Sequence, residues 1–177
     1  MTNDIAKILL NPTEIDEMCH RLGEEISNDY KNRTPIIIGL LKGCQPFMSD
    51  LVKHITSYCK LDYMNVSSYE GTLQGDTIEI ISDITTPIDG KDVILVDDIV
   101  DSGRTIKFIT SLLKQRGAKS VEVCCLLDKP DGRKVDVDVK YVGGKVPNEF
   151  VVGYGLDYNE LYRNLPYIGV LKPEKYN

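Results

Sequence analysis

Acidic and hydroxyl side chains follow one strongly apolar segment of the chain. Residues 93–96 are all apolar, and the carboxylates Asp97 and Asp98 come directly after them, followed by residues 101–105, D-S-G-R-T. Backbone N–H groups and hydroxyls where a strand turns into a helix can bind a phosphate, and glycine permits a close approach. Two neighbouring carboxylates can hold a ribose diol, or a magnesium ion bound to it. The segment therefore predicts a site for a sugar phosphate.

A second interpretation of this segment is a loop in which Asp101 and Ser102 only cap the following helix. For an isolated D-S-G-x-T motif this interpretation is at least as good. The whole run, with its apolar strand and paired carboxylates, favours the phosphate site. The sequence contains neither G-x-G-x-x-G after a strand nor G-x-x-x-x-G-K-[ST], so dinucleotide and nucleoside triphosphate sites lose their main support.

Short apolar runs alternate with segments of helical periodicity along the chain. We predict strands at residues 35–41, 61–66, 78–81, 92–97, 121–127 and 150–152, and helices starting at Pro12, Pro46 and Ser102 or Gly103. This alternation predicts an α/β fold with an open, mainly parallel sheet flanked by helices, and ligands beyond the carboxyl ends of the strands. Residues 67–76 are polar with two glycines, which predicts a mobile loop.

Composition limits the classes of function. A length of 177 residues favours one domain, and a net charge of −6 without a basic stripe argues against a nucleic-acid partner. The first residues do not form a signal-peptide pattern, and no apolar stretch approaches the ~20 residues of a membrane helix. Five cysteines without a C-x-x-C pair, and two histidines, argue against disulfides or structural zinc and favour the cytoplasm. Cys124 and Cys125 are expected to be buried strand residues.

The run from Val93 to Thr105 resembles the phosphoribosyl pyrophosphate signature of type I phosphoribosyltransferases. Within them the chain resembles the bacterial hypoxanthine (hypoxanthine-guanine) phosphoribosyltransferases from about residue 5 to residue 173. Further segments match in family order: residues 40–43, 68–69, 129, 150–154, 156–160 and 163–171. This set of matches is far more specific than the signature alone.

The resemblance implies a fold, a reaction and a cofactor. The fold is that of type I phosphoribosyltransferases, with a core at roughly residues 33–142 and a small hood from the N-terminal segment and roughly residues 143–177, all in one domain. The reaction is purine salvage: the phosphoribosyl group moves from phosphoribosyl pyrophosphate to hypoxanthine, and also to guanine, giving IMP or GMP and pyrophosphate. Mg²⁺ is the implied cofactor, and a homodimer or homotetramer the implied assembly.

The resemblance also implies roles for four carboxylates. Asp97 and Asp98 match the acidic pair that binds the ribose and magnesium, although relatives usually have glutamate at the position of Asp97. Asp101 matches the general acid and base at purine N7, a role compatible with helix capping. Asp157 matches a residue whose backbone contributes to the pocket at the purine 2-position, and whose side chain is a candidate ligand of a second magnesium.

Contacts to the phosphates follow from the same matches. Lys42 and Gly43 match pyrophosphate contacts, and Arg163 matches a further one. Relatives hold the peptide before this lysine in the cis form, which implies a cis bond between Leu41 and Lys42. The implied 5′-phosphate site consists of Ser102, Gly103, Arg104 and Thr105.

The base site and its lid are implied by five more residues. Lys129 matches the lysine that donates to the purine O6, Phe150 matches the aromatic residue that stacks on the base, and Val151 would present backbone groups to the base edge. An alternative for Phe150 is a place in the core. Ser68 and Tyr69 match the pair on the family's flexible active-site lid, where Tyr69 would cover the reacting atoms.

Three other functions compete with this hypothesis. An RNA-binding regulator of pyrimidine genes keeps the same signature, but it usually has a non-acidic residue at the position of Asp101 and a basic face. Type I transferases for adenine or orotate are disfavoured by Lys129 with Phe150, whereas xanthine is not ranked against hypoxanthine and guanine. Ribose-phosphate pyrophosphokinases are much longer and have an ATP-binding half that this sequence lacks.

Overall fold

The strands that the structure describes form two sheets. A computed structural model describes residues 1–69 and 77–176, with the backbone only at Ser68, Tyr69 and Thr77. The strands in this part are β1 (Ile5–Leu10), β2 (Ile36–Leu41), β3 (Lys60–Tyr69), β4 (Thr77–Ser82), β5 (Asp92–Val100), β6 (Ser120–Asp128), β7 (Tyr141–Lys145), β8 (Val151–Val152) and β9 (Ile168–Leu171). The α-helices are α1 (Pro12–Asp29), α2 (Gln45–Leu51) and α3 (Arg104–Gln115).

The larger sheet has six strands in the order β4-β3-β2-β5-β6-β7. All neighbours pair in parallel except β3 and β4, which are antiparallel. Ile94 and Val96 of β5 pack in the core cluster that contains α1 and α2, whereas Val93 and Leu95 pack in the cluster that contains α3. Because helices cover both faces of β5, successive residues of this strand have to be apolar. The predicted open, mainly parallel sheet is confirmed.

Helix α1 begins where the sequence predicts it. The Asn11 side chain accepts hydrogen bonds from the N–H groups of Thr13 and Glu14, and the Glu14 carboxylate accepts one from the Asn11 N–H. This reciprocal capping satisfies donors that the first turn of a helix leaves unpaired. The buried face of α1 consists of Ile15, Cys19, Leu22, Gly23 and Ile26. Among the described residues, no helix is both long and apolar enough to cross a membrane.

The smaller sheet has three antiparallel strands in the order β1-β9-β8. Neither β1 nor β9 is predicted from the sequence, because the two strands pair with each other across most of the chain and local sequence does not show such a pairing. Ile8 of β1 is 57% exposed, while all four residues of β9 are buried. The division into core and hood stays a prediction, and the larger sheet continues to Lys145.

Two predicted strand ends shift by three residues in the structure. Residues 67–69 extend β3 instead of starting a loop, because Ser67, Ser68 and Tyr69 pair with β4. The rest of that predicted loop, residues 70–76, lies outside the described residues. Strand β5 also runs beyond its predicted end at Asp97 to Val100, where it pairs with Asp128 of β6. Both carboxylates of the acidic pair therefore lie within the strand.

Candidate active site

A cavity of about 520 Å³ opens where the parallel strands β2 and β5 end. Its walls come from β2 and the turn after it, from β3, from β5 and the start of α3, and from the loop between β8 and β9. The predicted site residues that line it are Lys42, Gly43, Asp97, Asp98, Asp101, Ser102, Gly103, Thr105, Asp157 and Arg163. Ten residues from three separate segments thus meet at the edge of the sheet where α/β proteins bind ligands.

The acidic pair lies on the floor of this cavity. The Asp98 N–H donates to Asp97 Oδ1 at 3.0 Å, and the Ile99 N–H donates to Asp98 Oδ1 at 2.7 Å. Burial raises the pKa of Asp97 well above its usual range, and the charge of Asp98 raises it further. Burial also raises the pKa of Asp98. Two desolvated carboxylates side by side need a positive charge to be stable in their ionised forms.

Magnesium fits this acidic pair. No ion pair joins Asp97 or Asp98 to a lysine or arginine within the described residues, and Mg²⁺ favours carboxylate oxygens together with phosphate oxygens. In the same part of the chain, no three acidic, histidine or cysteine side chains cluster as a complete metal site. Oxygens of a bound substrate would therefore have to complete the coordination. Asp157 differs, because its Oδ2 already accepts a hydrogen bond from the Glu160 N–H and its Oδ1 forms an ion pair with Arg163.

The turn after β2 lies directly against Asp98. The Leu41–Lys42 peptide is cis, as predicted. A Cβ at Gly43 would lie 1.9 Å from Asp98 Oδ2, so only a glycine fits at this distance. The turn and the Asp98 side chain therefore pack closely against each other.

The predicted phosphate site lies in the loop between β5 and α3. Gly103, the residue before α3, has a φ of 80°, a left-handed conformation that favours glycine. The Arg104 N–H points towards Ser102 Oγ at 3.4 Å, while Ser102 and Thr105 line the cavity. The Arg104 side chain is exposed, and the residue is not among those that line the cavity, so its role in the phosphate site stays a prediction. The N-terminus of α3 carries the partial positive charge that attracts a phosphate.

A second cavity, of about 280 Å³, adjoins the first and shares Asp98, Ile99, Asp101 and Asp157 with it. Its other walls are Lys129, Glu149, Phe150, Val151 and Leu156. The three predicted base-site residues, Lys129, Phe150 and Val151, are thus together. Lys129 Nζ donates to Asp101 Oδ2 at 3.1 Å, and the Lys129 side chain is only 13% exposed.

Phe150 is not a core residue. Its side chain is 36% exposed and lines the second cavity, so the alternative placement in the core is wrong. The Tyr176 ring stacks on it with a centroid distance of 4.8 Å and an angle of 21° between the ring planes. Tyr158 meets it edge to face at 5.5 Å. The Phe150 ring thus packs against two tyrosines.

Two residues that the sequence analysis did not single out contact the site. Arg133 Nε donates to the Asp101 carbonyl at 3.0 Å, and its guanidinium also pairs with Asp128 and the Val100 carbonyl. Glu160 accepts from Lys42 Nζ at 2.8 Å and from Arg163 Nη2 at 3.1 Å. Glu160 falls within a matched segment, whereas nothing in the local sequence of Arg133 indicates its contacts.

Ser68 and Tyr69 are the predicted site residues whose side chains lie outside the described part of the structure. Their backbones belong to the end of β3, next to Ser67, which lines the first cavity. Their role on a lid stays a prediction. Cys124 and Cys125 are buried on β6, as predicted, and neither lines one of the two cavities.

Comparison with known proteins places this geometry in a family. The model of the phosphoribosyl transferase domain matches residues 7–159. The chain is 49% identical to the hypoxanthine-guanine phosphoribosyltransferase of Bacillus subtilis, covering 99% of this chain and 98% of that protein. It is 51% identical to the bifunctional protein TilS/HprT of Listeria monocytogenes, of which it spans 28% of the length.

Solved structures agree with the sequence matches. The crystal structure of a hypoxanthine phosphoribosyltransferase from Staphylococcus aureus superposes with a TM-score of 0.96 at 49% identity, covering 100% of this chain and 97% of that one. A hypoxanthine-guanine phosphoribosyltransferase from Bacillus anthracis superposes with a TM-score of 0.88 at 38% identity, covering 95% of this chain and 98% of that one. The chain therefore belongs to the phosphoribosyltransferases and, within them, to the hypoxanthine-guanine phosphoribosyltransferase family.

Proposed function

We propose that this protein is an enzyme of purine salvage that transfers the phosphoribosyl group of phosphoribosyl pyrophosphate to hypoxanthine and guanine. The observation that carries this proposal is the shared wall of the two cavities. One cavity has the acidic pair and the helix N-terminus that suit a sugar phosphate, and the other has an aromatic ring and a lysine that suit an oxopurine. Asp101 belongs to both, which suits a group that acts between donor and base.

The donor would bind across the first cavity. Its 5′-phosphate would lie at the N-terminus of α3 against Ser102 and Thr105, and its pyrophosphate would bind Lys42 and Arg163. The ribose hydroxyls would then face Asp97 and Asp98. Mg²⁺, when bound at the acidic pair, would neutralise charge that develops on the leaving pyrophosphate. The ribose C1 would then face the second cavity.

The base would bind between Phe150 and the shared wall. Lys129 would donate to O6, which favours an oxo group and disfavours the amino group of adenine. Asp101 would accept the N7 proton as N9 attacks C1, a role that typically accelerates a reaction 10²–10⁴-fold. Val151 would offer its backbone groups to the base edge. Asp157 would contribute to the 2-position pocket through its backbone.

We also propose a homodimer or homotetramer in the cytoplasm, acting without nucleic acid or membrane. The family resemblance supports the assembly. The cysteines support a reducing compartment, since all five are free and four are buried. Sedimentation at several protein concentrations would test the assembly.

The decisive experiment supplies the purified protein with phosphoribosyl pyrophosphate, Mg²⁺ and one of five bases: hypoxanthine, guanine, xanthine, adenine or orotate. We expect the absorbance change of nucleotide formation with hypoxanthine and guanine, none with adenine or orotate, and its loss when a chelator removes the metal. A gel-shift with pyrimidine leader RNA serves as the control for a regulator. A protein that forms no nucleotide from any purine, or that shifts the RNA, would refute the proposal.

A further inference from the structure

One carboxylate already holds the two cations that the proposed function assigns to pyrophosphate. Lys42 Nζ donates to Glu160 Oε2 at 2.8 Å, and Arg163 Nη2 contacts Glu160 Oε1 at 3.1 Å. Each oxygen of the carboxylate thus takes one cation. Glu160 lines the same cavity as Gly43, Asp97 and Asp98. A phosphate group placed between Lys42 and Arg163 would need the donors that Glu160 uses.

The backbone of the loop places Glu160 there. Asn159 and Glu160 have φ values of 51° and 63°, in the left-handed region that residues other than glycine seldom adopt. The Asp157 carboxylate secures this turn, because its Oδ2 accepts from the Glu160 N–H at 2.8 Å. Such conformations concentrate at functional sites, where the surrounding structure maintains them. The turn therefore directs an acidic side chain into a cavity otherwise suited to phosphates.

The Glu160 side chain can also move away from Lys42 and Arg163. The Glu160 side chain is 63% exposed and the Lys42 side chain is 61% exposed. Water can therefore replace the contact between them at a small cost in free energy. Arg163 differs from Lys42, because Nη1 donates to the Gly155 carbonyl at 2.7 Å and its Nη2 also pairs with Asp157 at 2.9 Å. The guanidinium therefore stays in place when the Glu160 carboxylate moves.

We propose that Glu160 is an internal competitor of the pyrophosphate group at Lys42 and Arg163. This proposal rests on the proposed function, and in it Glu160 has two effects. It weakens the binding of the donor and of pyrophosphate, because the anion must displace a carboxylate of like charge. It also promotes product release, because the carboxylate returns to the two cations as pyrophosphate leaves. Glu160 is then a determinant of affinity and not a ligand of the substrate.

The test is the binding of inorganic pyrophosphate with Mg²⁺, measured by titration calorimetry on the full chain. We expect Glu160→Gln to lower the dissociation constant about 3- to 10-fold, since the variant keeps the side-chain shape and removes the charge that competes for two exposed cations. Glu24→Gln is the matched control, because it removes one exposed carboxylate on α1, and it should change the constant less than twofold. Added salt should reduce the difference in the dissociation constant for pyrophosphate between Glu160→Gln and the unmodified protein.

An unchanged or higher dissociation constant in Glu160→Gln would overturn the inference and make Glu160 a residue that positions Lys42 and Arg163. If that variant does not fold, Glu160→Asp tests the same point, because its shorter side chain withdraws the charge from Lys42 and must also tighten binding. The proposed function is judged separately by nucleotide formation in the unmodified protein. A protein that binds pyrophosphate but makes no nucleotide would refute the function and leave the competition measurable.

Discussion

Gly43 and Asp98 lie so close together that a Cβ on Gly43 would be 1.9 Å from the Asp98 carboxylate. We expect Gly43→Ala to displace this carboxylate, which the Ile99 N–H otherwise holds at 2.7 Å, and to lower nucleotide formation at least tenfold. The assay with hypoxanthine measures it. Gly144→Ala is the control, because the added Cβ meets only the flexible end of Met18. Full activity in Gly43→Ala would mean that the position of Asp98 is not critical.

Asp101 faces Lys129 at the junction of the two cavities. We expect Asp101→Asn to lower kcat about 10²- to 10⁴-fold, because an amide cannot accept the N7 proton, while donor binding stays nearly intact. Steady-state kinetics and direct donor titration separate the two effects. An equal loss of donor affinity would identify Asp101 as a binding residue.

Phe150 presents an exposed ring to the second cavity. We expect Phe150→Ala to raise the KM for hypoxanthine about 5- to 150-fold, because stacking on a base is worth ~1–3 kcal/mol. The KM for the donor should change much less. Phe108→Ala is the matched control, since Phe108 is similarly exposed at 42% but lies on α3 outside both cavities. An unchanged KM for the base in a folded Phe150→Ala variant would contradict the assigned stacking.

Arg133 connects the carbonyl groups of Val100 and Asp101 with the Asp128 carboxylate. A lysine ammonium cannot span these three acceptors, so we expect Arg133→Lys to misplace Asp101 and lower kcat about tenfold or more. Arg116→Lys is the control. It disrupts a two-contact pair with Asp83 away from the cavities and should lower the thermal midpoint without changing kcat. A loss of stability alone in Arg133→Lys would limit Arg133 to a structural role.

Asp92, at the start of β5, carries a pH-dependent part of the stability. A hydrogen bond from Ser120 lowers the pKa of Asp92, and the charges of Arg33 and Lys119 act in the same direction, against the effect of burial. Because the folded pKa lies below the ordinary value of 3.8, this stabilisation is complete above that value and is lost as the pH falls through the folded pKa.

We therefore expect Asp92→Asn to lower the free energy of unfolding at pH 7 by about 1–3 kcal/mol, since hydrogen bonds to a charged group are lost. Its thermal midpoint should also fall less between pH 5 and about pH 2 than that of the unmodified protein. Calorimetry measures both. Asp136→Asn, at an exposed position, is the control and should follow the unmodified protein. If the thermal midpoint of Asp92→Asn falls as steeply in acid as that of the unmodified protein, Asp92 does not carry this pH-dependent stability.

Local signals predicted those parts of the fold and site that depend on neighbours in sequence. The cap at Asn11, the apolar strand before Asp97 and the glycine at position 103 are all of this kind, and the structure has each of them. Strand β1 escaped prediction, because it exists only through pairing with residues about 160 positions later. The contact between Lys42 and Glu160 joins residues 118 positions apart, so it can be seen only in the folded structure.

The walls of the two cavities come from different parts of the polypeptide. Those that suit the sugar and its phosphates belong chiefly to β2, β5 and α3, and β5 is held by parallel neighbours on both sides. Those that suit the base and lie outside the first cavity, namely Lys129, residues 149–151 and Leu156, all come after β6. Exchanging Lys129 and Phe150 should consequently change which base is accepted, while the sequence of β2, β5 and α3 stays the same.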